Sequence, residues 1–285
     1  MTATVAPAPA AAPTAGPGPD ASAASPPARV PELSYFFPAH NEEANLPGLV
    51  DEALATLPGL AERFEIVIVD DGSRDATPRL ADDLAAAHPE IRAVHHPTNL
   101  GYGAALRSGF AASRYDVLAF TDGDRQFRVA DIGRLLAALG GGESAGGLAR
   151  GGGPDAVVGF RIQRADPLVR TLYARLYRLA NRIFFGLRVR DVDCACKVFR
   201  RSALAGIAVE SGGAFFSAEL LIKLQAGGHR IAEVGVPHYP RVAGSATGAK
   251  PSVVLRAVRD FWALRLRLWA NPRSALRRGR PILGG

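Results

Sequence analysis

The feature that most constrains this chain is an alternation. Short apolar runs of strand length are separated by stretches whose apolar residues recur every three or four positions. The runs are Leu33–Pro38 (LSYFFP), Phe64–Val69 (FEIVIV), Ile91–His95 (IRAVH), Val117–Phe120 (VLAF) and Ala156–Phe160 (AVVGF). Between the first two, residues 42–57 place Leu46, Leu49, Val50, Ala53, Leu54 and Leu57 on one helical face. Residues 75–87 read as the next helix, with Ser73 or Asp75 as its cap. Such alternation predicts an α/β fold with a mostly parallel central sheet, flanked by helices and joined by right-handed crossovers.

Acidic clusters follow three of the runs: AHNEE after the first, DDGSRD after the second and DGDRQ after the fourth. In a parallel sheet these loops leave the same edge, where open α/β sheets bind ligands. Helix capping is the competing explanation for any one cluster, because Asn41, Asp71, Ser73 and Asp131 are all good N-cap types. Three clusters at one edge point further, since gathered carboxylates repel unless a cation or hydrogen-bond donors offset them. Asp122 and Asp124 suit Mg²⁺ or Mn²⁺, which take a few carboxylate oxygens and complete their shells with phosphate and water. Gln126 offers a further amide oxygen, and Gly123 between the acids lets the backbone turn close to a ligand.

With 285 residues, 48% of them hydrophobic, the chain has material for one main domain. Residues 1–30 are mostly Ala, Pro, Gly, Ser and Thr, with Asp20 and Arg29 the only charges, and are expected to be a disordered tail without a secretory signal. Residues 140–154 hold eight glycines and are expected to be a mobile surface loop. A net charge of +7 calls for an anionic partner without choosing among phosphate ligands, nucleic acid and membrane. The only cysteines, Cys194 and Cys196, stand too close in sequence for an ordinary disulfide. They are expected to be reduced packing residues in a cytoplasmic protein.

The segments FPAHNEEANLP, EIVIVDDGSRDAT, NLGYGAALRSGF and TDGDRQF together resemble glycosyltransferase family 2, inverting enzymes of the GT-A fold. VVGFR, DVDCACKVFRR, FFSAELLIKLQAGGHRIAEVGVPHYPR and GSATG are similar to its dolichyl-phosphate or polyprenyl-phosphate sugar synthase branch. The resemblance covers about residues 32–260 and implies a Rossmann-like catalytic domain over 31–250. It implies that Pro38, Ala39, Asn41 and Glu42 line the nucleotide pocket, that Asp70 meets the base, and that Asp71 lies in the adjoining turn. Asp122, Asp124 and Gln126 would carry the cation on the donor diphosphate, matching the branch's DxDxQ pattern. Arg161 would meet a diphosphate or acceptor phosphate, and Arg241 would belong to a loop closing over the donor. In that loop the branch often reads Ser-Lys. This chain reads SATGAK, with Lys250 displaced.

The acceptor divides two expectations. A sugar hydroxyl needs a general base, for which Glu219 and Asp193 are candidates. A polyprenyl phosphate is already ionised and needs cations to place it. Arg175, Arg178 and Arg182 recur at helical spacing and would meet such a phosphate, or form a solvated charged face. The C-terminal stretch 251–285 is expected to be an amphipathic basic helix and tail. Arg256, Arg259, Asp260, Arg265 and Arg267 interrupt it too often for a span. Leu255, Val258, Phe261, Trp262 and Trp269 suit either an interfacial helix or packing on the catalytic domain. The expected activity is metal-dependent, inverting transfer from a nucleotide-diphosphate sugar to polyprenyl phosphate. The protein would act at the cytoplasmic membrane face, bound peripherally or through an integral membrane partner. A hydroxyl acceptor and a non-catalytic anionic-membrane or nucleotide-sugar binder are the alternatives. Nucleic-acid binding is not expected, because the basic residues lack an interleaved aromatic platform or a groove-reading helix.

Overall fold

The computed structural model describes residues 29–140, 152–162, 168–241, 243 and 251–283. Residues 1–28 of the expected tail, most of the glycine-rich segment, SATG and Lys250 lie outside the described residues. The first elements are β1 (Val30–Ala39), α1 (Leu46–Leu60), β2 (Ala61–Asp70), α2 (Thr77–Ala87), β3 (Ile91–His95), α3 (Tyr102–Ala112) and β4 (Val117–Phe120). Then follow α4 (Asp131–Leu139), β5 (Ala156–Arg161), α5 (Leu168–Phe185), β6 (Lys197–Arg200), α6 (Arg201–Leu204), β7 (Ala208–Val209) and α7 (Phe216–Ala226). The chain closes through β8 (Ile231–Val236), α8 (Pro251–Ala270), α9 (Pro272–Arg277) and β9 (Arg280–Pro281).

Seven strands form one sheet in the order β3-β2-β1-β4-β6-β5-β8. β6 runs antiparallel to β4 and β5, and the other neighbouring pairs are parallel, so the sheet is mostly parallel. Buried apolar residues on consecutive positions of β2 and β4 follow from helices covering both faces. Phe36, Phe110, Phe120 and Phe199 bind strands to α3, with Phe36 stacked on Phe120 at 5.3 Å between centroids. Helix α3 comes close to β1 through Gly109, where a Cβ would lie 2.1 Å from the Phe36 ring.

Three boundaries differ from expectation. The first strand reaches into the expected tail: Val30 is buried and opens β1, and the Arg29 guanidinium donates to the Ala61 carbonyl. Helix α1 starts at Leu46 rather than residue 42, because Asn41 takes a left-handed φ of 56° and the Glu42 carbonyl accepts both Asn45 and Leu46 N–H in a turn. Helix α2 starts at Thr77, whose N–H donates to Asp75 Oδ1 (3.0 Å).

The C-terminal stretch is not a free appendage. Phe261 and Leu264 of α8 enter the core, β9 pairs with β7, and Ile282 is fully buried. Buried Lys223 donates to the carbonyls of Ala208 and Arg278, each at 2.7 Å, while Arg267 and Arg278 pair with Glu210. Both cysteines are buried and free, and burial pushes the Cys194 thiol up to about 12, which suits packing rather than chemistry. Among the described residues no helix is long and apolar enough to cross a membrane.

Candidate active site

Strands β2, β1 and β4 lie side by side and parallel, so the three acidic segments leave one edge of the sheet. The chain steps outward through β1, β2 and β3, then returns to the other side of β1 for β4. A crevice forms where the direction of winding reverses. Two antiparallel steps through β6 restore the direction of β4 in β5 and β8. Arg161 and the segment 237–241 therefore arrive at the same edge.

Capping explains little of the first two acidic segments: Asp75 accepts the first N–H of α2, as expected of a cap, but the residues at the N-cap positions of α1 and α2 make no side-chain cap. The side chains instead join loop to loop. Asn41 N–H donates to Ser73 Oγ (2.9 Å), and Asn41 Oδ1 accepts from Arg74 N–H (2.8 Å). Glu42 N–H donates to Thr77 Oγ1 (2.9 Å), and Glu43 Oε2 accepts from Ala76 N–H (2.8 Å). The Glu42 carboxylate accepts from Asn45 Nδ2 (2.6 Å). Burial raises its pKa, and the nearby Asp124 charge adds to the rise. Pro38 and Ala39 form the floor between these loops as the last residues of β1.

Asp70 and Asp71 divide their work. Asp70 accepts from Ser73 N–H (3.0 Å) and meets His95 Nδ1 (3.0 Å), whose Nε2 faces Asp82 (3.0 Å). Burial acts to raise the Asp70 pKa, but His95 and Ser73 outweigh it and the net shift is downward. Asp71 accepts from Leu100 N–H (2.8 Å), Gly101 N–H (2.9 Å) and His96 Nδ1 (2.7 Å). It thus shapes the NLGYG turn, which delivers Tyr102 to the Asp122 carboxylate.

Asp122 and Asp124 face one another across Gly123, where a Cβ would lie 2.7 Å from the Pro38 carbonyl oxygen. Only glycine lets this turn seat against the end of β1. Burial, then the Asp124 charge, pushes the Asp122 carboxyl up to about 7. Its Oδ1 is buried without a hydrogen-bond partner. Asp124 Oδ1 accepts from Gln126 N–H (3.0 Å), and Oδ2 pairs with the Arg241 guanidinium (2.7 Å), which also reaches Gln126 Oε1 (3.5 Å). Beneath them, buried Lys197 sits over the Phe120 ring and donates to the Cys194 carbonyl. The donors fit a hard divalent cation: an orphaned buried carboxylate oxygen, a second carboxylate and an amide oxygen, with the Arg241 guanidinium holding the place of positive charge beside them. Among the described residues no three His, Cys, Asp or Glu side chains form a metal cluster. The ligand set would therefore depend on Gln126 and on oxygens of the bound substrate.

Other expected residues are differently employed. Arg161 lies at the crevice edge, but its guanidinium is held bidentately by Asp191 at 2.7 and 2.8 Å. Burial lowers its pKa, and the Asp191 bond and charge more than reverse this. Glu219 is not poised as a base. Its oxygens accept from Glu210 and Ser211 N–H, each at 2.9 Å, and one pairs with Lys223 at 2.8 Å. Asp193 bears on the site through its charge, which acts on both Tyr102 and Tyr177. Arg175, Arg178 and Arg182 stand exposed on the outer side of α5, while Asn181 is buried on its inner side. Sequence reasoning assigned no role to Tyr102, His95, His96 or Lys197. Tyr102 was signalled only by the NLGYG motif, and the histidines by their place at the end of β3.

The model of the family described as "Glycosyl transferase family 2" matches residues 34–207. The chain is 32% identical over 214 residues to glycosyltransferase AglD of Haloferax volcanii, covering 74% of this chain and 33% of that protein. It is 34% identical over 173 residues to the undecaprenyl-phosphate 4-deoxy-4-formamido-L-arabinose transferase of Pseudomonas fluorescens, covering 60% of this chain and 47% of that protein. To the polyprenol monophosphomannose synthase of Mycolicibacterium smegmatis it is 29% identical, covering 73% and 78%. The chain thus spans about a third to a half of the length of the first two relatives. Among solved structures, glucosyl-3-phosphoglycerate synthase from Mycobacterium tuberculosis with phosphoglyceric acid superposes with a TM-score of 0.61 at 24% identity, covering 82% of this chain and 79% of that one. The same enzyme with Mn²⁺, UDP and phosphoglyceric acid gives 0.60 at 22% identity, covering 82% and 78%. Sheet order, acidic crevice and matched residues lead to one conclusion: the chain has the GT-A fold and belongs to glycosyl transferase family 2.

Proposed function

We propose that the protein transfers a sugar, with inversion, from a nucleotide-diphosphate sugar to polyprenyl phosphate at the cytoplasmic face of the membrane. The observation that carries the reading is Asp122 Oδ1, buried and unpartnered beside Asp124 at the switch point of the sheet. Asp122, Asp124 and Gln126 would hold Mg²⁺ or Mn²⁺. Such an ion, when bound, screens the donor diphosphate and stabilises charge growing on the leaving group. The relatives named for undecaprenyl-phosphate and polyprenol substrates support a lipid phosphate acceptor. A structural neighbour was solved with Mn²⁺ and UDP, which supports a metal and a nucleoside diphosphate in this fold.

In this reading Pro38, Ala39, Asn41 and Glu42 line the nucleotide pocket and Asp70 meets the base. Gly123 brings the acidic turn against β1. Arg241 gives up Asp124 as the donor complex forms and turns its charge to the diphosphate. A phosphate oxygen of the acceptor attacks the anomeric carbon, and the bond from that carbon to the nucleoside diphosphate breaks. No proton need be removed, which is consistent with Glu219 being committed to backbone N–H groups and Lys223. Arg175, Arg178 and Arg182 are the cations proposed to meet the acceptor phosphate. Arg161 acts by fixing Asp191 and the end of β5 rather than by direct contact.

The test is transfer of radiolabel from UDP- and GDP-sugars to polyprenyl phosphate, with Mn²⁺ or Mg²⁺. Label should enter the lipid phase with one donor class, and Asp122→Asn and Asp124→Asn should each reduce the rate at least ~100-fold while remaining folded. Label appearing only in water-soluble product would overturn the acceptor. Rates unchanged by removing divalent ions would overturn the metal.

A further inference from the structure

Helix α8 has two apolar faces, and the fold uses only one. Phe261 and Leu264 point into the core, with Ala257 and Leu268 packed beside them. Val254, Val258, Trp262, Leu255, Leu266 and Trp269 lie on another side. At ~100° per residue they span roughly a third of the circumference, with the half-buried Arg265 among them. They are exposed: Leu255 at 70%, Leu266 at 58% and Trp269 at 78%. A helix needing only to pack on a domain gains nothing from a second apolar stripe.

That stripe continues onto α5. Phe184 joins the helices, its ring 5.1 Å from Trp262 and 5.7 Å from Phe261. Leu176, Leu179 and Ile183 extend the apolar surface along α5, each more than half exposed, up to 66% at Ile183. Arg175, Arg178 and Arg182 flank it at helical spacing, all exposed. The joint surface is therefore an apolar strip containing both tryptophans of the chain, edged by cations, on a protein of net charge +7. Exposed apolar area of this extent marks an interaction site. Its arginine border and interfacial tryptophans complement an anionic lipid surface better than a neutral protein groove.

We infer that α5 and α8 together dock the protein on an anionic bilayer. α8 lies in the interfacial plane, its outer stripe reaches the acyl boundary, and the α5 arginines, which in the transfer reading meet the acceptor phosphate, meet headgroup phosphates on a bilayer without acceptor. Docking goes beyond the proposed transfer reaction and holds whatever the sugar acceptor is.

The full chain is mixed with vesicles of phosphatidylcholine alone, or of phosphatidylcholine with phosphatidylglycerol, lacking polyprenyl phosphate and nucleotide. Co-sedimentation and tryptophan emission are then read. Because both tryptophans sit on the strip, binding should shift emission to the blue only with anionic vesicles, and high salt should weaken it. The variant L255S/W269S, changed at exposed positions, should keep its melting temperature and bind at least tenfold more weakly. The proposal is overturned if the wild type fails to sediment with anionic vesicles, or sediments without a change in emission. Undiminished binding by the folded variant also overturns it. A wild-type dimer that the variant converts to monomer, without vesicle binding, assigns the strip to a second copy instead. Transfer is assayed separately with detergent-solubilised acceptor, so failure of docking and failure of the transferase reading remain distinguishable.

Discussion

Gly123 and His95 show how single positions tune the crevice. A methyl group at Gly123 would meet the Pro38 carbonyl at 2.7 Å, and that carbonyl belongs to a central strand with no freedom to retreat. Gly123→Ala should therefore displace the acidic turn, costing ~1–3 kcal/mol of stability. It should also abolish the Mn²⁺-dependent rise in melting temperature with nucleoside diphosphate, measured by thermal shift. His95 is held between Asp70 and Asp82. Burial lowers its pKa, but the two carboxylates overcome this and leave it above the ordinary 6.5. The folded state thus favours the charged ring. Its contribution is complete below about pH 6.5 and fades as pH rises through the elevated folded value. His95→Gln should lower the melting temperature more near pH 6 than near pH 9. An equal loss at both would remove the charge argument. Asp70, with its depressed pKa, contributes in the opposite sense, and loses its share as pH falls through that lowered value.

At the scale of elements, the strands after which acids appear were legible because apolar runs such as Val117–Phe120 are bounded sharply by polar loops. The DxDxQ pattern was legible for the same reason. What the side chains of the loops do was not. Asn41 and Ser73 look like caps in a linear reading, yet each finds its partner in the other loop, more than 30 residues away in sequence. Glu219 was one of two candidate bases for a hydroxyl acceptor. Its neighbours Glu210 and Ser211 reach it only because β7 folds back toward α7. Likewise the C-terminal stretch stayed open between an interfacial helix and packing on the catalytic domain, since its binding depends on a two-residue strand pairing with β7 and on the carbonyl of Arg278. Lys223, buried with Glu219, ties these pieces together. Lys223→Met removes the charge partner of Glu219 and two hydrogen bonds to carbonyls at once, and should cost ~3–5 kcal/mol in denaturant unfolding. A loss below 1 kcal/mol would mean that α7 and the C-terminal strand are held by apolar contacts alone.

At the scale of the molecule, the C-terminal helices and the catalytic sheet share one core. Phe261 contacts Phe185 and Phe215 at 4.8 and 5.8 Å, which links α8 to α5 and to the start of α7. Unfolding followed by tryptophan emission, which reports α8, should coincide with unfolding followed by far-ultraviolet circular dichroism. A tryptophan transition at lower temperature would show α8 detaching first.

The cross-bonded loops after β1 and β2 carry one last implication. Their backbone donors and side-chain acceptors are mutually satisfied before any ligand arrives, whereas Arg241 holds Asp124 through a single contact, which the proposed donor complex would release. One wall of the crevice is thus already set like a mould, and the opposite wall works like a latch. Molecules that touch only the mould should associate without waiting for the protein to rearrange, and those that need the latch should show a slower second phase.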